Sequence, residues 1–274
     1  MYKKVFLSIL FAVFAIVQSW SQTEIIAHRG YWKTGGSAQN SIAALMKADS
    51  IRVYGSEVDI WLSSDGIPVV NHDAEVVLNG EKLSVQDTPA ATLRKVKLAN
   101  GEPLPTFEEY LDAFSRCKHT KLIIEFKTHR VKEREDLLAQ LVIDRVHERG
   151  LQDRVEYIAF AVNFVQQARK LAPDAPVYFL NGDLSPRVLS TMGLTGMDYH
   201  FDVLYKKPEW VKDAHSLHQK VNVWTVNKPE DIQKVIDLKV DYITTDEPLL
   251  VNEMRTRANS TRITGVLISN ILSV

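Results

Sequence analysis

Two carboxylates and a histidine fall within a short stretch. Glu57-Val58-Asp59 begins it, Asp65-Gly66 interrupts it, and an apolar run ending at His72 closes it. The alternation predicts a strand, a tight turn and a second strand. Successive strand residues point to opposite faces, so Glu57 and Asp59 share one face and Val58 and Ile60 take the other. Carboxylates held side by side repel each other unless a cation lies between them, which makes this pair a candidate metal site.

Glu125-Phe126-Lys127 repeats the pattern on a later predicted strand. If both strands face one interior, Glu57, Asp59 and Glu125 converge. Three carboxylates without a cysteine or a histidine cluster favour a hard cation, Ca2+ or Mg2+, over zinc. An internal ion pair to Lys127 or Arg29 is the alternative. Burying two or three like charges without a metal costs several kcal/mol as a rough figure, which counts against it. Arg29 and Lys127 beside a metal require an anion, and a guanidinium with an ammonium suits phosphate. A phosphate ester is the implied substrate. His28 and His72 can divide the donor and acceptor work of phosphodiester cleavage. Trp224 offers a ring for a small organic group, or is a core aromatic. Asn40 reads as a helix N-cap and Asp73 as a turn residue. His119, His129 and His147 read as exposed.

The elements that must position these groups begin after a leader. Lys3 and Lys4 precede an apolar run from Val5 to Val17, and Ser19 and Ser21 stand at signal-peptidase spacing, so residues 1–21 read as a secretory signal peptide. The expected location is secreted or periplasmic, with no stable membrane insertion once the leader is removed. Losing that segment takes two lysines and no acid, moving the formal net charge from −1 to −3, which disfavours nucleic acid as a partner. A single cysteine, Cys117, excludes an internal disulfide, leaving the core or a bound ion to supply stability.

Residues 22–256 then read as one domain. Apolar strands begin near residues 24, 55, 121, 155, 177, 197, 221 and 242, with helices between most of them, including one over 208–219. About eight strands separated by helices predict a closed parallel α/β barrel, the TIM (β/α)8 fold. A doubly wound sheet is the alternative, but no G-x-G-x-x-G follows the first strand. Residues 74–105, punctuated by Asn79-Gly80, Asn100-Gly101, Pro103 and Pro105, read as a small insertion after the second barrel strand region. Residues 257–274 read as a tail without an assigned role. The polar clusters fall at the C-terminal ends of strands, where barrels carry their reactive groups.

In order, His28-Arg29-Gly30, Asn40-Ser41, Glu57-x-Asp59, Asp65-Gly66, His72-Asp73, Glu125-x-Lys127, Trp224-Thr225-Val226-Asn227 and Thr245-Asp246-x-Pro248 resemble the glycerophosphodiester phosphodiesterase family. The resemblance runs from about Ile25 to Pro248. It implies a TIM barrel with a small insertion after the His-Asp motif and a divalent ion on Glu57, Asp59 and Glu125. It further implies His28 and His72 as the acid and base pair, Arg29 and Lys127 on the phosphoryl group, and Trp224 packed on glycerol. The implied reaction is attack by the substrate's own glycerol hydroxyl, loss of the head-group alcohol, and opening of the cyclic phosphate by water. One departure stands out: relatives usually carry Pro-Glu before the asparagine, where this chain has Ala38-Gln39. Alternatives of other kinds are a non-catalytic phosphodiester-binding protein, or the same chemistry on lysophospholipids.

Overall fold

The computed structural model describes residues 22–258; the leader expected at 1–21 and residues 259–274 of the expected tail lie outside the described residues. Strand β1 (Glu24–Ala27) ends in the His28 turn, and helix α1 (Ile42–Ser50) follows it. Strand β2 (Gly55–Leu62) folds back through Asp65-Gly66 onto β3 (Pro68–Val70), which pairs antiparallel with it, Ile60 opposite Val70. Residues 74–105 then leave the barrel. They form a two-stranded sheet of β4 (Glu75–Leu78) and β5 (Glu81–Ser84), and a one-turn helix α2 (Ala90–Leu93). This excursion builds its own small core, with Val76, Val85, Leu93 and Leu104 packed on Trp61 and Val69 of the hairpin.

Helix α3 (Phe107–Phe114) restarts the alternation, held at its start by Thr106 and Glu109 in a reciprocal capping box. There follow β6 (Lys121–Phe126), α4 (Lys132–Glu148), β7 (Val155–Ala159), α5 (Val162–Leu171) and β8 (Val177–Phe179). Helix α6 (Pro186–Thr191), β9 (Gly196–His200), α7 (Phe201–Lys206), α8 (Glu209–Ser216), β10 (Lys220–Trp224), α9 (Pro229–Asp237) and β11 (Tyr242–Thr245) complete the barrel, and residues 248–258 are helical. The single helix expected over 208–219 is therefore shorter. A separate helix α7 precedes it, where His200 Nδ1 accepts the Asp202 N–H at 3.3 Å as a local cap.

Eight strands run parallel in the order β1, β2, β6, β7, β8, β9, β10, β11. The sheet closes because β1 pairs with both β2 and β11. This is the expected TIM (β/α)8 barrel. Outward residues such as Val58, Ile60, Leu122, Ile124 and Phe126 meet the helices in one continuous core. Inward residues fill the barrel in layers. Tyr54, Glu156 and Lys121 close the N-terminal end, where Lys121 Nζ lies 2.9 Å from Glu156. Ile26, Ile123, Ile158 and Tyr178 fill the middle. Polar side chains are left for the C-terminal end. Among the described residues no helix is long and apolar enough to cross a membrane.

Candidate active site

Strand register brings the carboxylates together. Asp59 on β2 is the direct partner of Glu125 on β6, and neighbouring parallel strands present partnered side chains on the same face. Glu57 lies two residues earlier on that face. Ligand oxygens of Glu57, Asp59 and Glu125 all fall within 4.8 Å of one another. The three side chains are buried, Asp59 completely.

The charges around this triad do not balance internally. Lys127 Nζ bridges Glu125 at 2.7 Å and Asp59 at 3.0 Å, and Arg29 Nε stands 3.7 Å from Asp59. The internal ion pairing weighed against a metal is thus present, but only in part. Glu57 receives the Arg29 backbone N–H at 2.7 Å through Oε2, while its Oε1 is buried without a partner. Burial, then the charges of Asp59 and Glu125, push the Glu57 carboxyl well above its ordinary range. Burial and Asp59 raise Glu125 to about 7. Asp59 is depressed instead: burial pushes it up, but Lys127, His72, the Asn40 amide and Arg29 together outweigh burial. Lys127 is raised, because Asp59 and Glu125 overcome the cost of its own burial. An orphaned buried carboxylate oxygen beside two crowded carboxyls fits a hard divalent cation.

The turn after β1 is shaped for this contact. Arg29 and Gly30 both take left-handed backbone, φ 55° and 79°. A Cβ on Gly30 would lie 2.6 Å from that of Ala44, so only glycine fits where the turn crosses α1. The conformation turns the Arg29 N–H toward Glu57 and carries its guanidinium to Gln39, whose Oε1 accepts from Nη1 at 2.7 Å. Gln39 thus holds Arg29 without adding a charge.

Each histidine rests on a carboxylate. His28 Nδ1 lies 2.8 Å from Asp246 Oδ1, and His72 Nδ1 lies 2.7 Å from Asp73 Oδ1. A carboxylate only accepts, so Nδ1 carries the proton in each pair and Nε2 is left for the cavity. Asp246 also accepts from Trp32 Nε1 at 3.0 Å and Asn227 Nδ2 at 2.8 Å. Burial raises its carboxyl, but these bonds and His28 bring it down to about 2. Burial pulls the His72 imidazole below its ordinary value.

His28, Arg29, Glu57, His72, Glu125 and Lys127 line a cavity of about 100 Å3 at the C-terminal end of the strands. Its far wall is apolar, made by Ile158, Phe160, Leu180 and the half-buried Trp224. The Trp224 ring meets Phe160 edge-on at 5.7 Å, and its Nε1 donates to the Asp198 carbonyl at 2.9 Å. Of the eight residues singled out from sequence, His28, Arg29, Glu57, His72, Glu125, Lys127 and Trp224 line this cavity, and Asp59 lies buried behind it, bonded to Lys127.

Two readings are corrected. Asn40 is not the N-cap of α1. Ser41 is, its side chain accepting the Ala44 N–H, while Asn40 is buried with φ 60° and donates Nδ2 to Asp59 Oδ2 at 2.8 Å. The amide satisfies a buried carboxylate, which outweighs its capping propensity. His129 is not exposed but 7% accessible; its Nε2 accepts the Leu62 N–H at 3.0 Å, and its Nδ1 meets the Lys127 carbonyl at 2.7 Å. It ties β2 to the loop that aims Lys127.

Sequence reasoning gave no role to Asp246, Asn227 or Asp198. Asp246 and Asn227 stood in quoted motifs at strand ends, and that position was the available signal. Asp198 was detectable only as a lone acid alternating with His200 on β9. It is 1% exposed, its Oδ1 lacks a partner, and burial raises it to about 8.

A closed (β/α)8 barrel that gathers two histidines, three carboxylates, Arg29 and Lys127 at the C-terminal ends of its strands has the frame and the polar groups of a barrel hydrolase. Known proteins show which family it belongs to. The model of the glycerophosphoryl diester phosphodiesterase family matches residues 28–250. A crystal structure of a glycerophosphodiester phosphodiesterase from Parabacteroides distasonis is 42% identical and covers 87% of this chain and 99% of its own, with a TM-score of 0.83. A glycerophosphodiester phosphodiesterase from Caldanaerobacter subterraneus is 29% identical over 249 residues, 85% of this chain and 98% of that protein. An Oleispira antarctica phosphodiesterase, solved with its product sn-glycerol-3-phosphate, shares the fold at 21% identity, with a TM-score of 0.74 over 88% of this chain and 98% of that one. The chain belongs to the glycerophosphoryl diester phosphodiesterase family and is a phosphoric diester hydrolase.

Proposed function

We propose that this enzyme cleaves glycerophosphodiesters to glycerol 3-phosphate and an alcohol, with His28 and His72 exchanging the protons, and that it does so after export. The observation that carries the reading is that the two histidines line one cavity with Glu57 and Glu125 of the carboxylate triad, each histidine with Nδ1 held by its own carboxylate. The Oleispira phosphodiesterase, with sn-glycerol-3-phosphate bound as product, supports the same glycerol end here. Export rests on the leader read at residues 1–21.

In this reading the glycerol carbons pack on Trp224 and Phe160, and the phosphoryl oxygens meet Arg29 and Lys127. One histidine takes the proton of the attacking glycerol hydroxyl at Nε2, and the other, entering the step protonated on both nitrogens, gives its Nε2 proton to the departing head-group oxygen. The phosphorus–oxygen bond to the head group breaks as the new ring bond forms. Roles then reverse as water opens the ring. Glu57, Asp59 and Glu125 would hold a divalent cation, which when bound supplies charge stabilisation to the phosphoryl oxygens.

The test is phosphorus NMR of glycerophosphoethanolamine incubated with the mature enzyme. Glycerol 3-phosphate should appear, vanish with chelator and return with Ca2+ or Mg2+. His28→Ala and His72→Ala should each lower the rate by about 10²- to 10⁴-fold. Parent rates in both variants would remove the histidine assignment, and unchanged turnover in chelator would remove the metal.

A further inference from the structure

Asp198 is an acidic side chain that the proton-transfer scheme leaves unused. It stands on β9, where Met197 and Tyr199 on either side of it point outward into the helix-facing core, so Asp198 points into the barrel. Its position is opposite the carboxylate pair of β2. In the closed strand order, β9 is reached from β2 through β6, β7 and β8 in one direction and through β1, β11 and β10 in the other. Asp198 therefore lines the cavity across from Glu57, in company with Ile158, Phe160, Leu180 and Trp224.

The protein leaves this carboxyl incomplete. Its register partner on β10, Asn222, gives its amide N–H to Thr244 Oγ1 at 2.9 Å. Burial raises the Asp198 carboxyl and the Asn222 amide draws it part of the way back, yet Oδ1 stays buried without a hydrogen bond. Asp198 also stands apart from the acids that could hold a cation, because that cluster, among the described residues, comprises Glu57, Asp59 and Glu125. A buried acceptor left open beside an apolar wall is costly unless a ligand supplies the donor. The same residue fixes the ring of that wall, since its backbone carbonyl accepts from Trp224 Nε1 at 2.9 Å. One strand position thus sets both the ring face and the carboxyl.

The substrate has a donor to offer there. In a glycerol phosphodiester the hydroxyl next to the phosphorylated carbon attacks phosphorus, which keeps it beside the histidines, Arg29 and Lys127. The hydroxyl on the far carbon points away from phosphorus. With the phosphate on the cationic side and the carbons on Trp224, that far hydroxyl reaches the Asp198 side of the cavity. A carboxyl oxygen accepts from a hydroxyl in either protonation state. Resting on the phosphodiesterase reading above, we infer that Asp198 receives the far hydroxyl of the glycerol unit and is the residue that makes the enzyme prefer glycerol to a diol lacking that hydroxyl.

The experiment compares kcat/KM, with Ca2+ or Mg2+ present, for two methyl phosphodiesters, one of glycerol and one of propane-1,2-diol, which lacks only the far hydroxyl. The readout is their ratio within each enzyme, so a loss of folded protein cancels. The parent should favour the glycerol diester by about tenfold to a hundredfold, the scale of a hydrogen bond to a buried carboxyl made or left unmade. Asp198→Leu, similar in size and unable to hydrogen-bond, should bring the ratio to within about threefold of one, while Asp198→Asn keeps an acceptor and should retain a preference of about tenfold. A ratio near one in the parent would overturn the inference without any variant, and so would a parent-like ratio in Asp198→Leu. Should Asp198→Leu fail to fold, inhibition of the parent by glycerol 3-phosphate and by propane-1,2-diol phosphate makes the same comparison, and equal inhibition would overturn it. Failure of the parent on both diesters would instead remove the phosphodiesterase reading, and this inference with it.

Discussion

His28 Nδ1 and Asp246 Oδ1 lie 2.8 Å apart although 218 positions separate them along the chain. They meet because β1 and β11 are neighbours at the seam of the barrel, with Ala27 in register with Thr245. Asp246 fixes the tautomer and the orientation of the ring, a positioning role. If His28 moves a proton as proposed, Asp246→Ala should lower kcat by about 10²-fold with KM changed by less than about threefold. Steady-state kinetics checks this; a loss confined to KM would contradict it.

Glu57 is strained by its neighbours when no cation screens it. The sign follows from its raised carboxyl. A folded-state value above the unfolded one means stability declines as pH rises through that interval, so at pH 7 in chelator the site destabilises the fold. Glu57→Gln, which can still accept the Arg29 N–H, should raise Tm in chelator by roughly 2–4 °C, about 1 kcal/mol at this length. The Tm rise that Ca2+ or Mg2+ produces in the parent should shrink in the variant. Calorimetry reads both, and a lower Tm for the variant in chelator would contradict the account.

Asn40 combines a hydrogen bond to a buried carboxylate with a left-handed backbone. Asn40→Ala loses the bond and keeps the backbone penalty, so it should cost about 2–4 kcal/mol in chemical denaturation. Asn40→Gly loses the bond but tolerates φ 60°, and should cost about 1–2 kcal/mol less than alanine. Equal losses would show that the backbone contributes nothing.

His129 supplies the acid sensitivity of the region. Burial lowers it to about 4 while it accepts the Leu62 N–H. Between its unfolded value of about 6.5 and its folded value the unfolded chain binds the extra proton, so stability falls as pH drops through that window, by up to about 3 kcal/mol. His129→Gln can donate to the Lys127 carbonyl and accept from Leu62, and should flatten the decline in Tm between pH 6.5 and 4.5. An unchanged slope would assign the acid sensitivity elsewhere.

Strand and helix periodicity, together with alternation on β2 and β6, were local properties, and they were enough to read the barrel and to place Glu57, Asp59, Glu125 and Lys127 on inward faces. Departures arose where a side chain's partner is remote in sequence. Asn40 sits beside an apolar helical run and is capable of capping it, so nothing local distinguishes a cap from a carboxylate ligand. His129 follows a strand in a polar segment, and its burial comes from Trp61 and Phe164 packing around it.

What the sequence by itself determined is which polar residues share one side of a strand, Glu57 with Asp59 and Glu125 with Lys127, because a period of two is written in consecutive residues. What only the tertiary structure decided is who meets whom. Closure of β1 onto β11 gives His28 its carboxylate. The register of β2 against β6 sets Asp59 beside Glu125 and leaves one Glu57 oxygen unpaired. Glu102, brought from the excursion, accepts the Ile42 and Ala43 N–H groups at the start of α1. Each depends on contacts between distant segments, whose geometry is set by packing of the closed barrel rather than by any short stretch of chain.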